Sequence, residues 1–120
     1  MNSVNAQRVP EEAAETAVAR LREMSPDLRG CALLDGEGNV LAATGDRDSW
    51  GAAAAELLAA ADAAGGEPAS HLHVATEDGE AFAVRHEGLA VVAVAERFTL
   101  ASLMIFDMRA VLRDLAGEAG

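Results

Sequence analysis

Eight apolar segments follow one another in this 120-residue chain as helix, strand, strand, helix, strand, strand, strand, helix, and that order constrains the fold more than any single residue. It leaves no length for a second domain. One domain is expected over residues 10–116, between a flexible tail at 1–9 and a short C-terminal tail at 117–120. Pro10 fits the first position of the opening helix, Glu11, Glu12 and Glu15 follow, and Arg20 and Arg22 lie at the far end. Acid first and base last complements the helix dipole. Ala14, Ala17, Val18, Leu21 and Met24 form its apolar stripe, and Ser25-Pro26-Asp27 stops it. Cys31 to Leu34 reads as a buried strand, Asp35 to Asn39 as a glycine-rich turn, and Val40 to Ala43 as the antiparallel return. A helix over Trp50 to Ala64 has Asp48 or Ser49 as its cap and ends at Gly65-Gly66, with Glu67-Pro68 as linker.

A meander of His71 to Thr76, Ala81 to His86 and Leu89 to Ala95 follows, turning at Glu77-Asp78-Gly79 and at Glu87-Gly88. Thr99 caps a last helix from Leu100 to about Ala116, which Gly117 ends. Leu100, Leu103, Met104, Met108, Val111, Leu112 and Leu115 are expected to face inward from it. The expected fold class is α+β, a five-stranded antiparallel sheet flanked by helices in two or three layers.

Composition narrows the function classes. Hydrophobic residues make up 51% of the chain but aromatic residues only 3%, so the core is built from Leu, Val and Ala. A net charge of −11 repels nucleic acid and anionic membrane, and neither is expected as a partner. All nine basic residues are arginine, which with the abundant alanine reads as codon usage in a GC-rich bacterium. Cys31 is the single cysteine, so no internal disulfide or cysteine-based zinc site forms. Inside an apolar strand it reads as a small buried hydrophobe. Met1 to Gln7 lacks the charged start and apolar run of a signal peptide. Phe98 to Phe106 is too short to span a bilayer. A soluble, cytoplasmic protein is expected.

His71-Leu72-His73 is the one pattern resembling a metal site, because strand spacing puts both rings on one face. A two-residue turn at Asp78-Gly79 pairs His71 with His86 and brings three imidazoles together. A three-residue turn with Gly79 left-handed pairs Leu72 with Val84 and Val74 with Phe82, and sends His86 to the opposite face. The apolar pattern favours the second register, and with it no metal site. Asp35-x-Glu37-x-Asn39 has Val40 where a calcium loop needs glycine, and Asp46-x-Asp48-x-Trp50-Gly51 has Trp at a ligand position and Leu57 in place of the bidentate glutamate. No phosphate-cradling loop and no nucleophile elbow is present, and the carboxylates gather at turns. No catalytic, cofactor-binding or metal-binding residue is assigned, and the chain is expected not to be an enzyme.

Three features suit a protein that presents a surface. Trp50 stands between polar loop and alanine helix, as an interface anchor or as a plug for a small core. The second helix carries Ala53, Ala54, Ala55, Ala59, Ala60, Ala61 and Ala64, with Leu57 and Leu58 its only large aliphatics. Small side chains allow close approach to another backbone, although alanine is also simply common here and a good helix former. Arg85, Arg97 and Arg109 could each meet a partner as interface or catalytic arginines, although structural ion pairs are the simpler reading in an acidic chain.

The order of elements, the segment Gly30 to Ala43 (apolar strand, Asp-Gly turn, Val-Leu-Ala) and the ending Leu89 to Leu115 (apolar strand, long apolar helix) resemble Roadblock domains, the dynein light-chain family with bacterial MglB-type members. The resemblance covers residues 10–116 and implies a Roadblock or profilin-like sandwich. It further implies dimers formed through the second helix and third strand, residues Trp50 to Ala64 and Ser70 to Thr76. Trp50, Ala54, Leu57, Leu58, Ala61, His71 and His73 would then line the two-fold interface. The implied role is a dimeric partner that modulates the nucleotide cycle of a Ras-like small GTPase. A scaffold without effect on GTP turnover and a small-molecule sensor are the alternatives. Layers filled with alanine and few convergent polar groups argue against the sensor.

Overall fold

The computed structural model describes residues 9–65, 71–75, 79–97 and 99–119. Residues 1–8 of the expected tail, the Glu67-Pro68 linker and the Glu77-Asp78 turn lie outside them. The element order is α1 (Glu11–Met24), β1 (Leu28–Leu34), β2 (Val40–Ala43), α2 (Arg47–Gly65), β3 (His71–Ala75), β4 (Glu80–His86), β5 (Leu89–Ala95) and α3 (Ala101–Ala119). All five strands join one antiparallel sheet in the order β2-β1-β5-β4-β3.

Local chemistry moves several boundaries. Pro10 stands just outside α1 with an extended ψ of 143°, and its carbonyl accepts from the Ala14 N–H at 3.0 Å. A proline there gives up no donor that the helix needs. β1 begins at Leu28, three residues ahead of Cys31, because Leu28 and Gly30 pair with Ala95 and Val94 of β5. α2 starts a turn before Trp50, and Asp46 sits at its head in place of Asp48 or Ser49. The Asp46 carbonyl accepts from the Trp50 N–H at 3.2 Å and its carboxylate from Ser49 Oγ at 2.8 Å. Thr99 Oγ1 turns back to the Glu96 carbonyl at 2.5 Å, while the Leu100 carbonyl accepts from the Met104 N–H at 3.1 Å. α3 continues through Gly117 to Ala119.

The β1–β2 turn is tied by Asp35, whose carboxylate accepts from the N–H groups of Glu37 (2.9 Å) and Asn39 (3.0 Å) and from Asn39 Nδ2 (3.1 Å). Partial burial works against its charge, but the hydrogen bonds from Asn39, Glu37 and Gly38 outweigh it and hold the carboxyl below the ordinary range. Between β4 and β5, Glu87 (φ 49°) and Gly88 (φ 81°) are both left-handed, as a two-residue type I′ hairpin requires.

Two cores lie on opposite faces of the sheet. α1 and α3 cover one face, where Leu21, Leu33, Phe82, Met108, Leu112 and Leu115 are fully buried. α2 covers the other over a thinner layer of Ala32, Leu34, Ala54, Ala83 and Val92. The result is a three-layer sandwich.

Cys31 belongs to the first core, and burial pushes its thiol up from 9.0 to about 11, with Arg22 pulling slightly the other way. The folded state therefore holds this proton where the unfolded chain releases it. Its contribution is present below pH 9.0 and lost as pH rises toward about 11. Roughly 2–3 kcal/mol of stability is expected to go over that interval. Urea unfolding of the wild type and Cys31→Ala at pH 8 and pH 11 checks this, since only the wild type should show the loss.

The register of β3 on β4 differs from both expectations. His71 pairs with Val84, Leu72 with Ala83, His73 with Phe82 and Ala75 with Glu80. The connection is four residues long, 76–79, and Gly79 is not among the left-handed glycines. Consequently His71, His73 and His86 share the face of Phe82 and Val84, and His86 is not turned away. The pattern misled because His73 packs as an aromatic body: its ring stacks on Phe82 at 4.6 Å. In α3, Met104, Met108, Val111, Leu112 and Leu115 are buried as expected. Leu100 and Leu103 are not; they are 61% and 59% exposed, beside Phe106 at 63%. The first half of α3 is apolar around most of its circumference, so periodicity alone did not choose its inner side.

Candidate functional site

β3 is an edge strand, paired on one side to β4 and on the other to no described strand. Such an edge is a template for another strand unless it is covered. His71, His73, Val74 and Ala75 are exposed on it and Leu72 is half-buried. The two rings lie on the face that α3 covers, and both are held. His73 Nε2–H donates to Glu80 Oε1 at 2.5 Å, and Glu80 is itself buried. Arg109 Nη2 on α3 donates to His71 Nδ1 at 3.0 Å, which requires that nitrogen to be bare. Leu72 points to the opposite face and packs against the second core. These ties brace the edge strand against the helix behind it.

α2 precedes β3 in the chain but rests on β1 and β2. Ala54 is fully buried within the chain's own core, and Leu57 and Leu58 are half-buried around it. Trp50 is half-buried too: its Nε1–H donates to the Thr44 carbonyl at 2.7 Å. Its ring lies over Gly30, where a Cβ would stand 3.1 Å from the indole and 2.9 Å from Thr44 Oγ1. Trp50 thus plugs the junction of α2 with β1 and β2. The outward side of α2 presents Ala52, Ala53, Ala55, Glu56 and Ala59. The Ala61 side chain lies outside the described residues.

The described residues contain no group of three or more His, Cys, Asp or Glu placed to hold a metal ion. A shallow groove of about 510 Å³ runs between α1 and α3, lined by Ala13, Thr16, Ala17, Arg20, Val111 and Asp114 among others. Arg20 and Asp114 pair with each other across it. Among the described residues no helix is long and apolar enough to cross a membrane. The ion pair of Arg29 with Glu96 (2.8 and 3.0 Å), which holds the Glu96 carboxyl below its ordinary range, escaped the sequence reading. So did the exposed apolar stripe on α3; the stretch from Phe98 to Phe106, apolar except at Thr99 and Ser102, was its signal.

Among solved structures the chain is similar to a Roadblock/LC7 domain from Streptomyces avermitilis, at 20% identity and a TM-score of 0.74, over 87% of this chain and 95% of that one. The gliding protein MglB from Thermus thermophilus superposes with a TM-score of 0.75 at 20% identity, over 92% and 90% of the two chains. This is a Roadblock fold. An MglB solved in a tetrameric arrangement shares it, with a TM-score of 0.73 at 19% identity over 92% and 93% of the two chains. No protein-family model and no curated protein matches the sequence. The Roadblock likeness is thus carried by backbone geometry, with little shared side-chain identity. In this chain of Roadblock fold the features open to a partner among the described residues are an alanine-lined helix side and a strand edge with no described neighbour.

Proposed function

We propose that the chain is a regulator of a Ras-like small GTPase, acting as a homodimer in the cytoplasm and performing no chemistry of its own. The observation that carries this reading is a Roadblock fold superposing on MglB along nearly the whole of both chains. The dimer would form through the outward side of α2 and the outer edge of β3, with Trp50, Leu57, Leu58, Ala61, His71 and His73 at or beside it and Ala54 seating the helix from beneath. Small side chains on α2 let a second helix approach closely, and a partner strand satisfies the open edge. Regulation would follow from different affinity for the GTPase's two switch conformations, which shifts its population. The acidic surface suits a partner with a basic patch.

Two measurements test this. Capture with the immobilised protein, run once with GDP and once with a non-hydrolysable GTP analogue, should retain a small GTPase in one nucleotide state only. Retention of no GTPase in either state overturns the reading. For the dimer, Ala55 and Ala59 are both exposed, so Ala55→Arg/Ala59→Arg should leave the protomer folded. Sedimentation is expected to show a dimer for the wild type and a monomer for the variant, with dissociation strengthened by roughly a hundredfold or more. A wild type that sediments as a monomer at tens of micromolar, on the order of a weak transient affinity, removes the dimer.

A further inference from the structure

The outward side of α3 is unlike the rest of the surface. Leu100, Leu103 and Phe106 stand 61%, 59% and 63% exposed, and together with Ala110 they form a ridge about 15 Å long, or roughly three helical turns. Three large apolar side chains in a row on one helix face, in an acidic protein, mark a contact surface. This ridge lies on the sheet face opposite α2, and only its Arg109 border reaches the β3 edge, through His71.

The borders of the ridge differ in charge. Toward α1 lie Asp107 and Asp114, and both are engaged: Asp107 Oδ2 accepts from Ser25 Oγ at 2.9 Å, and Asp114 pairs with Arg20. Toward β3 lie Arg109 and Arg113, both exposed. Arg109 donates to a neutral acceptor, His71 Nδ1, so its charge is not cancelled there. Arg113 has no acidic partner among the described residues. In a chain of net charge −11, one border of this ridge is positive and open.

We propose that this face of α3 docks an amphipathic helix of a partner protein, whose apolar side covers Leu103 and Phe106 and whose acidic edge meets Arg109 and Arg113. A helix laid along the ridge uses ordinary ridge-into-groove packing, and carboxylates along one edge complement the arginines. A second copy of this chain fits poorly. In an antiparallel pair of α3 helices the two-fold axis lays arginine border against arginine border. In a parallel pair the arginines meet carboxylates already held by Ser25 and Arg20. The small area of three side chains suits a single helix of a partner better than a self-standing dimer, which needs about 800 Å² from each side.

A display library of amphipathic helical peptides, selected on the full-length protein, tests the chemistry directly. Counter-selection uses Leu103→Ser/Phe106→Ser, which changes only exposed positions, and melting curves confirm that this variant remains folded. The expected survivors carry Asp or Glu along one edge of an apolar face. They should lose about tenfold or more in affinity on Leu103→Ser/Phe106→Ser, and a severalfold share of that on Arg113→Glu. Arg109→Glu/Arg113→Glu should shift the selected edge from acidic to basic. Survivors without acidic bias, or binders indifferent to both sets of changes, overturn the proposal. So does a change in the sedimenting species on Leu103→Ser/Phe106→Ser, which would assign the ridge to a second copy. None of these outcomes depends on GTPase capture.

Discussion

Phe82→Ala is expected to destabilise the protein by about 4 kcal/mol, which for 120 residues lowers the melting temperature by roughly 15 °C. Phe82 is the largest of the fully buried side chains, at the middle of β4, and the core holds few other rings. Alanine there removes the transfer energy of the ring and leaves a void that the Leu, Val and Met neighbours fill only in part. The loss also strips the stacking surface from His73, whose bond to Glu80 then has no support from below. Phe82→Leu keeps most of the volume and should cost no more than about 1.5 kcal/mol. Urea titrations of both variants check the pair of values. A Phe82→Ala protein within about 1 kcal/mol of the wild type would contradict a buried ring at this position.

Gly79→Ala is expected to cost about 3 kcal/mol, at the high end for adding one methyl group. The Cβ would stand 2.6 Å from the Ala95 carbonyl oxygen and 3.0 Å from an Arg29 guanidinium nitrogen. Backbone strain is not the cause, because Gly79 is not left-handed. The carbonyl belongs to the end of β5 and cannot yield without disturbing the Ala95–Glu80 pair. Adding Arg29→Ala should therefore recover less than half of the loss, whereas relief by a side chain alone would recover most of it. Thermal melts of the single and double variants distinguish the two.

The parts of the fold legible in the sequence were short apolar runs bounded by strong turns. β2 and β5 lie where their residues placed them, and Glu87-Gly88 announced its hairpin. Boundaries set by distant partners were not legible. Nothing local in Leu28-Arg29-Gly30 marks a strand; only β5 makes it one. The β3–β4 register was missed because a histidine counts as polar in a pattern but here stacks its ring on a buried phenylalanine. α3 was found with most of its inner face, and only Leu100 and Leu103 were turned the wrong way, since Leu103, Met104, Ile105 and Phe106 surround the axis. The same ambiguity hid the candidate docking ridge.

The strand order has a temporal consequence. β1 and β2 close a short hairpin, and β3, β4 and β5 close a local meander, but the middle of the sheet is the seam where β1 meets β5. That seam joins Ala32 to Val92 and Leu33 to Val91, residues about half the chain apart. During synthesis the first hairpin must wait for the 52 residues from Thr44 to Ala95 before its inner edge is covered. Loop closure across such a separation is slow. The last strand to leave the ribosome is thus the one that unites the two halves, and until it arrives each half shows an open edge to its surroundings.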